Sequence, residues 1–473
     1  MTPLCRCLAY PSVRLCLFAL LVLAGFALLM PGARESGSVA AQQPEPIANG
    51  PAAPNHIVRQ GFPAAKSDPN NLPKSDTAWE IEWDLTSPDN RPHMPPGTTM
   101  RIRSAKFMWK DKNGQPKWIT VARMLELGEI YVPYDNGYTA FMDIHHHPFY
   151  TTPARREYLG PNCVAPGEIL RSPNPTWNET VHKEVHDDGV RWMSAETDFG
   201  YHIADRARRG EKLMLWSTYF GANYRYLVEY DFRDDGVITC RLGFTGRNLL
   251  PRQRDQLDTH LHIACWRMEM DLGDPTTKVG GPKDNDVLLV RRVFNEGTER
   301  FEQVIKPFAK NSLGQACEGS ARWRATEFTT LRIQSRVRKN THGRPITYDL
   351  LPHRWGSTEQ LQSAGYFGAT GMDWINNDFW VTRTESGFTS YVDVARYAAG
   401  KRPLDGYPTT VWHSSPAIHV VRGEDYGDED GTNNFTGLAL TGWAEFHLKP
   451  RDLFDSTPLY KPTTRMPRFR FGD

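Results

Sequence analysis

From Trp79 onward the chain is written as short runs of alternating apolar and polar residues, each closed by turn-forming residues. A period of two places successive side chains on opposite faces of an extended strand. A compact turn between two such runs folds them into a hairpin. Trp79-Glu80-Ile81-Glu82-Trp83 is one run, and Met100 to Met108, closed by Asp111-Lys112-Asn113-Gly114, is another. Tyr226 to Phe232 is turned by Asp234-Asp235-Gly236 into Val237 to Leu242. Helical patterns are few, and the strongest, Thr298 to Phe308, is short. No internal repeat is present. With 14 Trp, 22 Phe and 18 Tyr beside 38 Gly and 35 Pro, the composition suits strands and turns. These signals predict an all-β fold, one large antiparallel β-sandwich domain over residues 76–473.

The first 75 residues read differently. Arg6 and Arg14 precede an uncharged apolar run, Leu15 to Met30, and Ser38-Val39-Ala40 and Val39-Ala40-Ala41 offer small residues at the spacing a signal peptidase cuts. Residues 1–41 are therefore expected to be a cleaved signal peptide, which sends the protein to the periplasm or outside the cell. An uncleaved anchor is the weaker reading, because a full span needs about 20 apolar residues. Nothing else in the chain is apolar enough to cross a bilayer. Residues 42–75 carry seven Pro among Ala, Asn and Gly and show no hydrophobic period, so they read as a linker or loosely draped arm.

Charge and cysteine content narrow the function classes. Lys plus Arg is 56 against 55 for Asp plus Glu, a net of +1, so neither nucleic acid nor an anionic membrane is an expected partner. Of seven Cys, three (Cys5, Cys7, Cys16) lie in the signal. Cys163, Cys240, Cys265 and Cys317 allow three pairings, and their spacings match no C-x-x-C metal site.

Three constellations carry chemistry. In His260-Leu261-His262 the two imidazoles share a strand face and can meet one metal ion. The pair is weak evidence alone, since 15 His in this length give roughly 0.5 H-x-H pairs by chance, and His145-His146-His147 contains another. What raises it is the strand: His260, His262, Ala264, Trp266, Met268 and Met270 share a face that is otherwise apolar. Buried imidazoles need hydrogen-bond partners or a metal, and satisfied core histidines are the plain alternative. A third ligand has to come from a distant strand; His419 is the candidate, with His413 as competitor. Three neutral imidazoles with open positions suit Cu(II) or Zn(II). The second constellation, Gly221-Ala222-Asn223-Tyr224-Arg225-Tyr226, opens a strand whose Tyr224, Tyr226, Val228, Tyr230 and Phe232 share a face, which on its own reads as an aromatic core stripe. The third is Tyr131-Val132-Pro133-Tyr134 followed by Phe141-Met142-Asp143. A carboxylate placed after apolar residues, where buried, is raised toward general-base range, while lone acidic residues at strand ends are more often solvated.

The order of these features resembles the copper amine oxidase family. Asp143 follows a Val-Pro-Tyr segment; Asn223-Tyr224 comes about 80 residues later, then His260-Leu261-His262, then a distant His419. Asp235-Gly236-Val237-Ile238, Arg267-Met268-Glu269-Met270-Asp271, Tyr348-Asp349-Leu350-Leu351-Pro352, Trp380-Val381-Thr382-Arg383, His419-Val420-Val421-Arg422-Gly423-Glu424-Asp425-Tyr426, Leu448-Lys449-Pro450 and Phe454-Asp455 match as well. The similarity runs from about Asp76 to the C-terminus. It implies a catalytic β-sandwich (a "supersandwich") that forms a homodimer, with Cu(II) held by His260, His262 and His419. It implies topaquinone made from Tyr224 by copper and O2, with Asp143 as base on the other side of that ring. Asn223 would restrain the ring and Tyr134 would hydrogen-bond the quinone oxygen. The implied reaction is oxidative deamination of a small primary amine by O2 to an aldehyde, ammonium and hydrogen peroxide.

Several positions depart from the family pattern. Arg225 stands where an acidic residue usually follows the cofactor tyrosine, and Ile144-His145-His146-His147 replaces the acidic and glycine residues after the base. Glu269 and Asp271 could contribute to a peripheral calcium site, but Pro408 occupies the place of a later acidic ligand. Cys163 lies near a family cysteine without a partner at the usual distance. Only the linker precedes residue 76, so the smaller α/β domains that usually come first are expected to be absent. Two rival readings follow: a degenerate homologue acting as an exported copper-binding sandwich without amine turnover, and a structural or carbohydrate-contacting sandwich with core histidines.

Overall fold

The computed structural model describes residues 56–86, 99–134, 140–144, 149–161, 163–172, 179–194, 206–221, 223–246, 259–353, 373–384, 394–420, 441–454 and 464–465. All fall within one compact unit, Ala53–Asp473. Residues 1–41, expected to be a signal peptide, and the second H-x-H at 145–147 lie outside the described residues. No helix among the described residues is long and apolar enough to cross a membrane.

The strands pair antiparallel in two large sheets. The first runs in the order Ile57–Phe62, Thr77–Thr86, Thr99–Lys110, Pro116–Pro133, His260–Gly273, Thr409–His419, Phe379–Arg383, Gly319–Ala321, with Ala140–Met142 also pairing on Pro116–Pro133. The second runs Arg300–Pro307, Asn285–Asn295, Thr330–Lys339, Pro345–His353, Gly442–Arg451, Ile238–Gly246, Tyr224–Arg233, Arg206–Gly221, Glu179–Ser194, Ala165–Arg171. Phe149–Thr151 and Thr464–Arg465 both pair on Arg206–Gly221. The all-β sandwich expected from the alternating runs is the fold that forms.

The inner faces are aromatic and buried. Trp79 lies 4.8 Å from Phe107 within its own sheet and 5.3 Å from Phe232 of the other. Tyr230 meets Trp266 across the gap at 5.8 Å. Burying one such side chain is worth about 1.5–3 kcal/mol, provided its polar atom is satisfied. The Trp79 indole donates to the Arg233 carbonyl at 2.8 Å and the Tyr230 hydroxyl to the Met100 carbonyl at 3.1 Å. The first sheet is covered on its other face too. Tyr131, Ile263, Cys265, Trp374, Trp380 and Trp412 form a second cluster there with Val394 and Ala398 of the short helix Val394–Ala399. Burial on both faces explains why the last nine residues of Pro116–Pro133 are buried without alternation.

Two expectations need correction. Thr298 to Phe308, read as a helix, instead contributes the strand Arg300–Pro307, hairpinned onto Asn285–Asn295. The Asn295 side chain accepts from the Gly297 amide at 2.9 Å, starting a turn, and Phe294 then pairs with Phe301 at 5.1 Å. Turn chemistry and a cross-strand aromatic pair outweigh the helical spacing. Within residues 42–75, read as a linker, Ile57–Phe62 forms an edge strand that buries Val58, Gln60 and Phe62. The density of prolines around it hid a three-position alternation.

Candidate active site

The inner face of the first sheet gathers the three predicted histidines. His260 and His262 are alternate residues of His260–Gly273, so both point inward. The residue directly opposite His260 on the neighbouring strand is His419. Antiparallel register thus joins side chains far apart in sequence. All three are buried, and one nitrogen from each lies within 4.8 Å of the others. His260 Nε2 and His419 Nδ1 are 3.2 Å apart. The competitor His413 faces Trp266 instead, roughly 20 Å along the strand, and its Nδ1 meets the Asp378 carbonyl at 3.0 Å. It belongs to the core.

The donor set fits a copper ion. His262 Nδ1 is engaged by the Tyr226 hydroxyl at 3.1 Å, while its Nε2 is buried with no hydrogen-bond partner. A buried nitrogen left bare costs about 1–3 kcal/mol unless an ion uses its lone pair. Burial first, then the two neighbouring imidazoles, holds His262 well below the ordinary histidine range, so it is neutral and its lone pair is free. Phe244 stacks on the ring at 3.9 Å and fixes its plane.

The second sheet brings the tyrosines. Tyr224 and Tyr226 alternate on one strand and face the histidines. The Tyr224 hydroxyl lies 2.7 Å from His260 Nε2 and 2.7 Å from His419 Nδ1. Two glycines make room for the rings. A Cβ at Gly246 would lie 2.6 Å from the Asn223 carbonyl oxygen and 2.7 Å from Tyr224, and one at Gly221 would lie 2.8 Å from Tyr226. The Asn223 carbonyl thus lies against the Gly246 backbone. Tyr134 bridges His260 in the backbone and stacks on its ring at 4.2 Å.

Asp143 follows Ala140–Met142 and is 4% exposed. Its amide donates to the Ile130 carbonyl at 2.9 Å, and the next amide, Ile144, donates to Glu129 Oε1 at 3.0 Å. Burial is the main reason its carboxyl is pushed up to about 7; the Tyr226 hydrogen bond pulls it down and the Glu129 charge pushes it up. The hydroxyl donated to Asp143 Oδ2 is that of Tyr226, the neighbour of Tyr224 on the same strand face. The two tyrosine rings stand side by side at 5.9 Å. Tyr224 reaches the histidine pair, and Tyr226 links Asp143 to His262.

By sequence Tyr226 reads as core packing, and Glu129 falls in no motif. The signals available were the shared strand face of Tyr224 and Tyr226 and a lone carboxylate inside the apolar run Leu127 to Val132. Arg225, expected beside the cofactor, points to the opposite face, exposed, with its guanidinium 4.1 Å over the Phe220 ring. The calcium expectation finds no assembled site. Glu269 pairs with Arg267 at 2.5 Å, Asp271 accepts from the Gly273 amide at 3.0 Å, and no ligand cluster among the described residues includes either carboxylate. Cys163, Cys240, Cys265 and Cys317 are all free.

The profile of the copper amine oxidase enzyme domain matches residues 181–467. A primary amine oxidase of Klebsiella aerogenes is 23% identical over 360 residues, 64% of this chain and 40% of that protein. A copper amine oxidase-like protein of Schizosaccharomyces pombe is 24% identical over 293 residues, 55% of this chain and 34% of its own length. The chain therefore spans less than half of either relative. Among solved structures, a copper-containing benzylamine oxidase from Hansenula polymorpha superposes with a TM-score of 0.60 at 17% identity, covering 82% of this chain and 61% of that one. Pichia pastoris lysyl oxidase gives 0.58 at 13% identity, covering 82% and 54%. At these identities the structural matches speak for the fold alone.

Proposed function

The chain belongs to the copper amine oxidase family, and on that premise we propose that it oxidises a primary amine. The amine, O2 and water give an aldehyde, ammonia and hydrogen peroxide; the amine carbon–nitrogen unit loses two electrons and O2 gains them. One observation carries this reading: the Tyr224 hydroxyl lies 2.7 Å from both His260 Nε2 and His419 Nδ1, beside the partnerless His262 Nε2. Copper(II) bound by His260, His262 and His419 would supply, with O2, the redox chemistry that converts Tyr224 to topaquinone, whose carbonyl accepts the amine.

The chain's own groups do the rest. Asp143 takes the proton from the α-carbon of the amine, and its carboxyl at about 7 gives a base of useful strength near neutral pH. The Tyr226 hydroxyl holds Asp143 Oδ2, so Oδ1 is the oxygen that receives the proton. Asn223 restrains the Tyr224 ring from the preceding backbone position, and Tyr134 supplies a hydroxyl to the ring oxygen. The buried sandwich interior excludes bulk water, which strengthens each of these contacts. The same reading makes the protein an exported homodimer, with residues 1–41 as the leader.

Phenylhydrazine titration after aerobic copper loading tests the proposal. A hydrazone band near one per chain, lost in Tyr224→Phe, together with amine-dependent peroxide, is the expected result. Copper at full stoichiometry with no band overturns it and leaves a copper-binding sandwich. A band without peroxide in the presence of varied amines leaves the quinone but removes the turnover.

A further inference from the structure

A second constellation of metal-ligating side chains lies two strands from Tyr224 in the second sheet. Glu184 and His186 are alternate residues of Glu179–Ser194 and share one face. The segment before Ala165–Arg171 folds over that face. Its Val164 amide donates to the Val185 carbonyl at 2.8 Å and its Gly160 amide to Glu184 Oε2 at 3.2 Å, which delivers Cys163. Cys163 Sγ is 3.3 Å from Glu184 Oε2 and 3.6 Å from His186 Nε2, and those two atoms are 2.6 Å apart.

We propose that Cys163, Glu184 and His186 bind a second metal ion, a zinc-type divalent cation, distinct from the ion of the three-histidine site. The donors are a thiolate, a carboxylate and an imidazole, a borderline set that suits Zn(II). Their spacing is close to the required one. A tetrahedral zinc ion with sulfur at ~2.3 Å and nitrogen or oxygen at ~2.0–2.1 Å separates sulfur from the other two donors by about 3.5 Å. The two sulfur contacts already meet this, and only the imidazole–carboxylate hydrogen bond has to open, to about 3.3 Å, to admit the ion.

The surroundings are those of a held ligand set. Trp216 donates its indole N–H to Glu184 Oε1 at 3.0 Å, which fixes the carboxylate and aims Oε2 at the other two donors. The indole itself is clamped by His182, stacked at 3.8 Å and 9°. Cys163 is in no disulfide, so its sulfur is available. Glu184 is buried, while Cys163 and His186 are half-buried, which leaves a fourth position for water. The thiolate and the carboxylate balance the charge of a dication, and the site releases protons as it fills.

Cobalt(II) titration of the chelator-stripped full chain tests this without any amine. In the His262→Ala background, which disables the three-histidine site, one equivalent should bind with a thiolate-to-cobalt charge-transfer band that zinc abolishes. Cys163→Ser should remove the band. Trp216→Phe, which keeps all three donors, should weaken binding by about 10–100-fold, the usual effect of losing such a supporting bond. Because Cys163→Ser could act through folding, far-ultraviolet circular dichroism of each variant accompanies the titration. Absence of the band at saturating cobalt, or its survival in folded Cys163→Ser, overturns the proposal.

Discussion

Tyr224 and Tyr226 stand two residues apart on one strand with their rings 5.9 Å from each other, yet their hydroxyls serve different ends of the site. Tyr224 reaches His260 and His419, whereas Tyr226 joins Asp143 to His262. A single strand thus presents the proposed cofactor precursor and the group that governs the proposed base.

If Asp143 is the base proposed above, it should set the acid limb of kcat/KM. The base works only when ionised, and burial pushes its carboxyl up to about 7. Activity should therefore be full above that pH and fall roughly tenfold per unit well below it. A steady-state pH profile checks this; a limb near the ordinary carboxylate range would assign the base elsewhere.

Tyr226→Phe removes the hydrogen bond that lowers Asp143. Bonds to a charged group are worth about 1.5–3 kcal/mol, and one pH unit is about 1.4 kcal/mol. The acid limb should move one to two units toward alkaline pH. Hydrazone yield should persist, which separates Tyr226 from Tyr224.

Glu129→Gln should act with the opposite sign. The amide oxygen still accepts from Ile130 and Ile144, but the charge that raises Asp143 is gone. The limb should then shift to lower pH. The same kinetic profile measures it, and an alkaline shift would count against the electrostatic origin.

Gly246→Ala places a methyl 2.6 Å from the Asn223 carbonyl and 2.7 Å from Tyr224. Overpacking of this kind costs about 1–3 kcal/mol, and here the strain falls on Tyr224. Denaturant unfolding should show that loss, and hydrazone yield should fall with it. Unchanged yield in a destabilised protein would mean that the ring does not depend on this contact.

Arg225→Asp restores the acidic residue that usually follows the cofactor tyrosine. Because Arg225 lies on the outer face over Phe220, the change should leave the pH limb in place. Stability should drop by no more than about 1 kcal/mol, the worth of an exposed cation–π contact. A shifted limb would show that the charge is felt through the sheet.

Much of this was legible beforehand because strands write their faces into sequence with a period of two. The inward placement of His260 with His262, and of Tyr224 with Tyr226, follows from that rule alone, as do the hairpins at Asp111–Gly114 and Asp234–Gly236. The same rule failed at Arg300–Pro307, where a few apolar residues satisfy helical and extended spacing alike and only pairing with Asn285–Asn295 decides.

For the strands that bear the site, alternation alone assigned the inner face, and therefore which residue types could meet. Which strands lie opposite one another was settled by pairing across the whole fold. The register that sets His419 against His260, the packing of the second sheet that brings Tyr226 rather than Tyr224 to Asp143, and the fold of Cys163 onto Glu184 and His186 all depend on long-range pairing. Alternation is local and can be read residue by residue. Register and sheet stacking are set by the burial of the whole interface at once.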